Sequence, residues 1–87
     1  MAKTIYSAEY RHLVDALRER REAVGLSQAE VATALGWPQQ RVSLTEAGAR
    51  RLDVVEFIRW AGALGLSPRR AWSMVERALT SAETVSR

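Results

Sequence analysis

Glycine and proline interrupt this sequence at intervals that leave five segments between them, and this spacing determines what the chain can fold into. The interruptions fall at Gly25, Gly36-Trp37-Pro38, Gly48, Gly65 and Pro68. The segments carry apolar residues at spacings of three and four, and they are too long and too rich in helix-forming residues to be strands. The sequence therefore predicts an all-α fold of five helices.

Signals for helix starts stand at the beginning of these segments. Ser27 and Glu30 form the pattern of a capping box, in which two side chains satisfy free N–H groups of the first helical turn. Asp53 and Glu56 repeat this pattern, and Pro38 suits the first position of a helix because its missing N–H is no loss there. The predicted helices run from Ala8 to Ala23 after a Ser7 cap, from Gln28 to Leu35, from Pro38 to Ala47, from the Asp53 cap to Leu64, and from Pro68 to Leu79.

Apolar stripes on the last two segments predict which side chains face the core. We expect buried side chains in the fourth helix at Val54, Phe57, Ile58, Trp60, Ala61 and Leu64. The fifth helix carries Ala71, Trp72, Val75 and Leu79 on one side. Trp72, Val75 and Leu79 either cover the core or form a dimer interface, and the sequence favours neither. Trp37 is expected to fill the core.

The length of 87 residues indicates one domain with a small core. We expect this domain over residues 8–82, between an N-terminal arm, residues 1–7, and a polar tail, residues 83–87, with fraying from Thr80 onward. No cysteine is present, and neither a signal peptide nor an apolar run of about 20 residues is seen. These features predict a cytoplasmic, nucleoid-associated protein without a membrane span.

The formal net charge is +3, and Lys3 is the only lysine among the 13 basic residues. Arginine suits phosphate and guanine because its planar guanidinium donates paired hydrogen bonds. A charge this small is also found in many proteins that do not bind DNA, so it favours a nucleic-acid partner only slightly.

Several short motifs resemble the signature of the Xre family, which includes the lambdoid phage repressors and Cro. The residues that carry the resemblance are Gly25-Leu26-Ser27-Gln28, Leu35-Gly36, Val42-Ser43, Glu46 and Gly48. The similarity extends from about Leu13 to Pro68. It implies a compact five-helix domain of the lambda-repressor type, with a helix-turn-helix at about residues 27–47. It also implies a homodimeric transcriptional regulator that binds double-stranded DNA, most simply a repressor at a palindromic operator.

The resemblance also implies roles for individual side chains. The base-reading residues would be Gln39, Gln40, Ser43 and Leu44. The phosphate-binding residues would be Gln28, Arg41, Arg50 and Arg51. Arg21 and Glu46 would form a partly buried ion pair between the first and third helices. The alternative for the polar residues of the third helix and for Arg50 and Arg51 is a solvated surface. The alternative for Gln28 is a residue that merely favours an early helical position, and the alternative for Trp37 is contact with a DNA sugar or phosphate.

Two positions depart from the family pattern, since position 44 is often basic and position 45 is usually a large apolar residue. Leu44 and Thr45 stand there instead. An exposed leucine can contact a thymine methyl group but removes a charge that would pair with phosphate, so weaker binding or a more A/T-rich site is expected.

Other classes of function are less favoured. The only histidine, His12, lies in a helical segment among charged residues, and neither a cysteine nor a glycine-rich phosphate loop accompanies it, so we expect no enzyme, cofactor or metal site. An antitoxin that binds a partner toxin and its own operator is the main alternative. A helical module that binds only proteins is another.

Overall fold

The computed structural model describes the backbone of residues 7–86 and the side chains of residues 7–80, and this part of the chain is all-α. Its five helices are α1 (Ala8–Ala23), α2 (Gln28–Leu35), α3 (Gln39–Glu46), α4 (Val54–Ala63) and α5 (Pro68–Ser86). The predicted five-helix fold is confirmed. Residues 1–6 of the predicted N-terminal arm lie outside the described residues.

The capping residues form the hydrogen bonds that their spacing predicted. The Ser27 hydroxyl accepts from the Glu30 N–H, while the Glu30 carboxylate accepts from the Ser27 N–H. Asp53 and Glu56 make the same reciprocal pair at the start of α4. Pro38 differs from the prediction: its ψ of 145° is extended, so it is the residue before α3 and not the first helical one.

Side chains from all five helices form one core, in which Trp60 of α4 is fully buried. The rings of Trp60 and Trp37 make a T-shaped contact, with ring centroids 5.9 Å apart. Around it lie buried side chains from each of the other helices, among them Leu17, Val31, Val42 and Met74. Phe57 and Trp60 are buried as predicted, and Trp37 is half-buried against the core.

The predicted stripe on α4 is wrong at its first residue. Val54 is 54% exposed, because the inward face of α4 begins one turn later, at Phe57. The helical period places Val54 on the same side of α4 as Ile58 and Ala61, so period alone does not determine its burial.

The predicted stripe on α5 divides into buried and exposed residues. Ala71, Met74 and Ala78 are buried, whereas Trp72 and Leu79 are about half exposed, at 49% and 50%. The helix also continues to Ser86, well past Leu79, so the segment where we expected fraying has a helical backbone. Among the described residues, no helix combines the length and apolar character that crossing a bilayer requires.

Candidate nucleic-acid interface

The third helix, α3, presents one buried and one exposed face. Val42, Thr45 and Glu46 anchor it in the domain. Thr45 is accommodated in the interior because its hydroxyl donates to the carbonyl of Arg41, at 2.8 Å, which satisfies a polar group that would otherwise be costly to bury. Helical geometry therefore places positions 39, 40, 43 and 44 on the opposite side.

The four side chains predicted to read bases share this outer face. Gln39, Gln40 and Ser43 are exposed, and Leu44 is 41% exposed. Two amides, a hydroxyl and an apolar side chain together offer hydrogen-bond donors, acceptors and a surface for a methyl group. These are the groups that distinguish base edges in a major groove.

The turn before α3 fixes where this face begins. Gly36 ends α2 with a φ of +73°, and the Trp37 N–H donates to the Ala32 carbonyl at 2.9 Å. Pro38 follows in the extended conformation, so that Gln39 becomes the first helical residue. The start of α3 is thus fastened to the end of α2.

The far end of α3 is fastened to α1 by the residues predicted to form an ion pair. Arg21 donates through Nε to Glu46 Oε2 at 2.7 Å and through Nη2 to Glu46 Oε1 at 3.0 Å. A third donor, Nη1, bonds the Leu26 carbonyl at 2.9 Å. The hydrogen bond to Glu46 raises the pKa of Arg21, against the opposing effect of burial. This geometry fixes the orientation of α3 relative to α1.

Gln28, predicted to bind phosphate, lies beside this pair. Its side-chain amide donates to Glu46 Oε1 at 2.9 Å. One amide hydrogen is therefore used inside the domain, and the resulting contact joins the start of α2 to the end of α3.

Arginines flank the exposed face of α3, and an indole holds two of them together. The guanidinium carbon of Arg41 lies 4.9 Å from the Trp37 ring centroid, and that of Arg50 lies 5.3 Å from it. Arg50 also donates to Glu56 Oε2 at 3.1 Å. The hydrogen bond from the Asp53 N–H, followed by the one from Arg50, lowers the pKa of Glu56 below its usual value.

The loop between α3 and α4 is fastened to the start of α1. Tyr10 accepts a hydrogen bond at its hydroxyl from the Leu52 N–H, at 2.9 Å, and the Arg51 guanidinium lies 5.4 Å from the Tyr10 ring centroid. The Arg11 guanidinium lies against Gly48, where a Cβ atom would collide with it. Arg11 therefore joins Arg41, Arg50 and Arg51 as a basic residue of this region.

Sequence reasoning missed the side chains that position these arginines. Tyr10, Arg11 and Glu56 received no role at this site, and Trp37 was expected only to fill the core or touch DNA. Glu56 was visible as a capping residue, but its contact with Arg50 depends on how the loop folds. The contacts of Tyr10 and Arg11 join segments about 40 residues apart, for which the sequence carries no local signal.

A groove lies elsewhere, between α1 and α5. It has a volume of about 580 Å³ and is lined by His12, Asp15, Glu19, Arg70 and Arg77 among others. None of the exposed α3 residues lines it. Within the described residues, no three His, Asp or Glu side chains are grouped in a way that could hold a metal ion.

Comparison with known proteins agrees with this geometry. A family model described as helix-turn-helix matches residues 17–70. The chain is 44% identical to an XRE-family like protein from Pseudomonas syringae pv. tomato str. DC3000, over 80% of this chain and 85% of that chain, with a TM-score of 0.75. It is 34% identical to the restriction-modification controller protein C.AhdI from Aeromonas hydrophila, over 75% of this chain and 98% of that chain, with a TM-score of 0.66. No curated protein matches the chain.

Proposed function

The chain belongs to the Xre family of helix-turn-helix DNA-binding transcription regulators, and we propose that it is a homodimeric repressor that reads a palindromic operator through α3. The observation that carries this proposal is the outer face of α3. Its polar and apolar side chains are exposed, while the opposite face and both ends of the helix are fastened to the domain. A helix held in this way can enter a major groove without reorganising.

Base reading is assigned to Gln39, Gln40, Ser43 and Leu44. A glutamine amide donates and accepts at once, which matches the N6 and N7 groups of adenine. Leu44 lies on the same face and offers an apolar surface to a thymine methyl group. We therefore propose an operator half-site that contains A·T pairs opposite the first two turns of α3.

Phosphate binding is assigned to the basic residues beside α3 and to the start of α2. Arg41, Arg50 and Arg51 contact the backbone and set the register without reading sequence. Gln28 contributes from the first turn of α2, where N–H groups without helical acceptors favour an anion. Its bond to Glu46 holds the side chain in place and leaves its second amide hydrogen for a phosphate oxygen.

A dimer would place two copies of α3 in successive major grooves. Half-sites would then lie about 34 Å apart, one turn of B-DNA. The exposed Trp72 and Leu79, with the half-buried Val75 between them, form the apolar surface of α5 that we propose as the interface. Bound across a promoter, such a dimer blocks polymerase without catalysing any reaction, and it acts in the cytoplasm on the nucleoid.

The relationship to C.AhdI supports transcriptional control, because that similar protein is a restriction-modification controller. We propose that the DNA upstream of its own coding sequence contains the operator.

The test compares binding of the purified protein to a fluorescent fragment of that upstream region with binding to random DNA of equal length. Anisotropy across a salt series should show that the operator fragment binds roughly a thousandfold more tightly. The Gln39→Ala, Gln40→Ala double variant should bind both DNAs at the weak, non-specific level. Ser73→Ala on α5 is the matched control and should bind like wild type. Equal binding of wild type to both DNAs would contradict the proposal.

A further inference from the structure

We propose that Trp37 is a positioning residue that holds Arg41 and Arg50 as one phosphate clamp, an inference that rests on the proposed DNA binding. Here the phosphate clamp means the Arg41 and Arg50 guanidiniums together with the Trp37 ring that both of them contact. Arg41 belongs to the first turn of α3, whereas Arg50 lies in the loop beyond its end. One indole thus contacts a basic group on the proposed reading helix and another in the loop that follows it.

The ring is a fixed platform because the core holds it. Trp37 is half-buried, and its ring meets the buried Trp60 at 81°, with centroids 5.9 Å apart. Its backbone N–H is bonded to the Ala32 carbonyl. With both the backbone and the ring constrained, the position of the indole is set before any DNA arrives.

Stacking on a ring leaves a guanidinium free to bind phosphate. The attraction to the indole acts on the charge of the guanidinium over the ring and does not use its N–H groups as hydrogen-bond donors to a carboxylate or carbonyl. Arg50 gives one N–H to Glu56 and another to the Arg51 carbonyl, so three of its five remain for a ligand. A phosphate between the two arginines would receive charged hydrogen bonds from both.

The charges of the phosphate clamp favour an anion of this kind. Arg41 and Arg50 are both cationic and share a single ring, so each raises the cost of holding the other. Glu56 offsets part of this repulsion, with its carboxylate bonded to Arg50 at 3.1 Å. Both side chains in that ion pair are partly exposed, so a phosphate can approach from solvent and take up the remaining charge.

The test is a double-mutant cycle on DNA affinity, using the full chain and the operator fragment. Arg50→Gln should weaken binding and lower the slope of log affinity against log salt by about 1, since one phosphate contact is lost. In a Trp37→Leu background, Arg50→Gln should weaken binding by less than half of that fold-change, because the guanidinium has already lost its platform. In a Trp37→Phe background, which keeps an aromatic ring, Arg50→Gln should again weaken binding by most of the fold-change seen in wild type.

Independent, multiplicative losses for Trp37→Leu and Arg50→Gln would overturn the inference, since a tryptophan that merely fills space has no reason to change what Arg50 does. Thermal unfolding of each variant checks that the domain is intact. A second cycle, Arg41→Gln with Arg50→Gln, leaves Trp37 in place and should show the same non-additive pattern. Losses of binding free energy that simply add in that cycle would also overturn the inference.

The outcome also separates the two proposals. Tight operator binding by wild type together with additive cycles would remove the phosphate clamp and leave the proposed function standing. Wild-type protein that binds neither the operator fragment nor random DNA would remove both.

Discussion

Arg21 and Glu46 join α1 to the end of α3 through two parallel hydrogen bonds, of 2.7 and 3.0 Å, in a pair whose side chains are only 12% and 3% exposed. This arrangement is the bidentate form in which arginine binds a carboxylate most strongly. Gln28 bonds the same carboxylate from the start of α2. One acidic side chain therefore fixes three helices relative to one another, and the orientation of the proposed reading helix depends on it.

Removing one partner of this pair should destabilise the domain by more than the intact ion pair contributes to stability, because the other charge is left buried without a partner. Arg21→Met leaves the Glu46 carboxylate buried without its main partner, and we expect a loss of about 3 kcal/mol in the free energy of unfolding. Glu46→Leu should cost a similar amount, while the double variant should cost clearly less than the sum. Urea unfolding measures all three, and additive losses would contradict the coupling.

A more exposed ion pair provides the matched control. Arg50 and Glu56 are 31% and 23% exposed in their side chains. Arg50→Gln should lower the free energy of unfolding by less than about 1 kcal/mol, because solvent screens an exposed pair. If Arg50→Gln lowers the free energy of unfolding as much as Arg21→Met does, burial does not determine how much stability is lost when an ion pair is broken.

Leu44 should contribute a methyl contact to operator recognition. Deoxyuridine in place of a contacted thymidine removes only the methyl group, and burying one such group is worth roughly 0.8 kcal/mol, or about fourfold in affinity. Wild type should lose this factor at one or two positions of each half-site, and Leu44→Ala should lose nothing further there. The measurement is anisotropy with single-substituted operators.

The outcome for Leu44 is specific to position. Ser43→Ala keeps Leu44 and serves as the control, so it should still lose affinity when the thymine methyl is removed. If Leu44→Ala remains sensitive to the methyl group at every position, the side chain does not face thymine.

Local signals explain why so much of the fold was predictable. The capping pairs at Ser27 and Asp53 and the breaks at Gly36 and Gly65 act within a few residues, so the sequence displays them directly. The contact between Arg21 and Glu46 spans 25 positions and was reached through the family resemblance. No periodicity in the chain would have paired these two residues.

Other features depend on where the packed elements end. Helical period placed Val54 on the inner side of α4, but Val54 is exposed and burial on this helix begins at Phe57. The contacts of Arg41 and Arg50 with Trp37 depend likewise on the path of the loop after α3. Both features depend on tertiary packing, and no local sequence pattern indicates them.

Glu56 should make stability depend on pH in the acidic range. Its folded pKa is lowered, first by the bond from the Asp53 N–H and then by Arg50. A lowered folded pKa means that the stabilisation is present above the unfolded value, about 4.3, and is lost as the pH falls through the folded value. The free energy of unfolding should therefore decline on acidification below about pH 5.

The Glu56→Gln variant isolates this contribution. Glutamine still accepts the capping hydrogen bond but has no charge to titrate. The stability gap between wild type and variant should be largest at neutral pH and should narrow in acid. A gap that stays constant from neutral pH to about pH 3 would contradict the assignment.

Gly48 should tolerate alanine less well than Gly36. Both have a positive φ, of +82° and +73°, and the left-handed conformation alone costs an alanine about 1 kcal/mol. A Cβ on Gly48 would also require the Arg11 guanidinium, the far end of a flexible side chain, to shift, whereas nothing lies within 4 Å of one on Gly36, so the additional loss at Gly48 should be small. The melting temperature of Gly48→Ala should lie below that of Gly36→Ala. This difference should be smaller when both substitutions are made in an Arg11→Ala background. If Gly48→Ala lowers the melting temperature by the same amount with Arg11 present and with Arg11→Ala, the Arg11 side chain moves away freely.

Trp72 should be the residue on which the proposed dimer depends most. About half of its surface is exposed, and its ring makes a T-shaped contact with the buried Phe57, with centroids 6.5 Å apart, so the core holds the indole while part of it stays open to solvent. Trp72→Glu places a charge in that surface, and its burial in an interface would be costly. Sedimentation equilibrium should show a dimer for wild type and a monomer for the variant, with operator affinity falling toward the non-specific level. Val24→Glu, at another exposed apolar residue, is the control and should remain dimeric. If Trp72→Glu unfolds like wild type and still dimerises, the interface lies on another surface and α5 serves only the core.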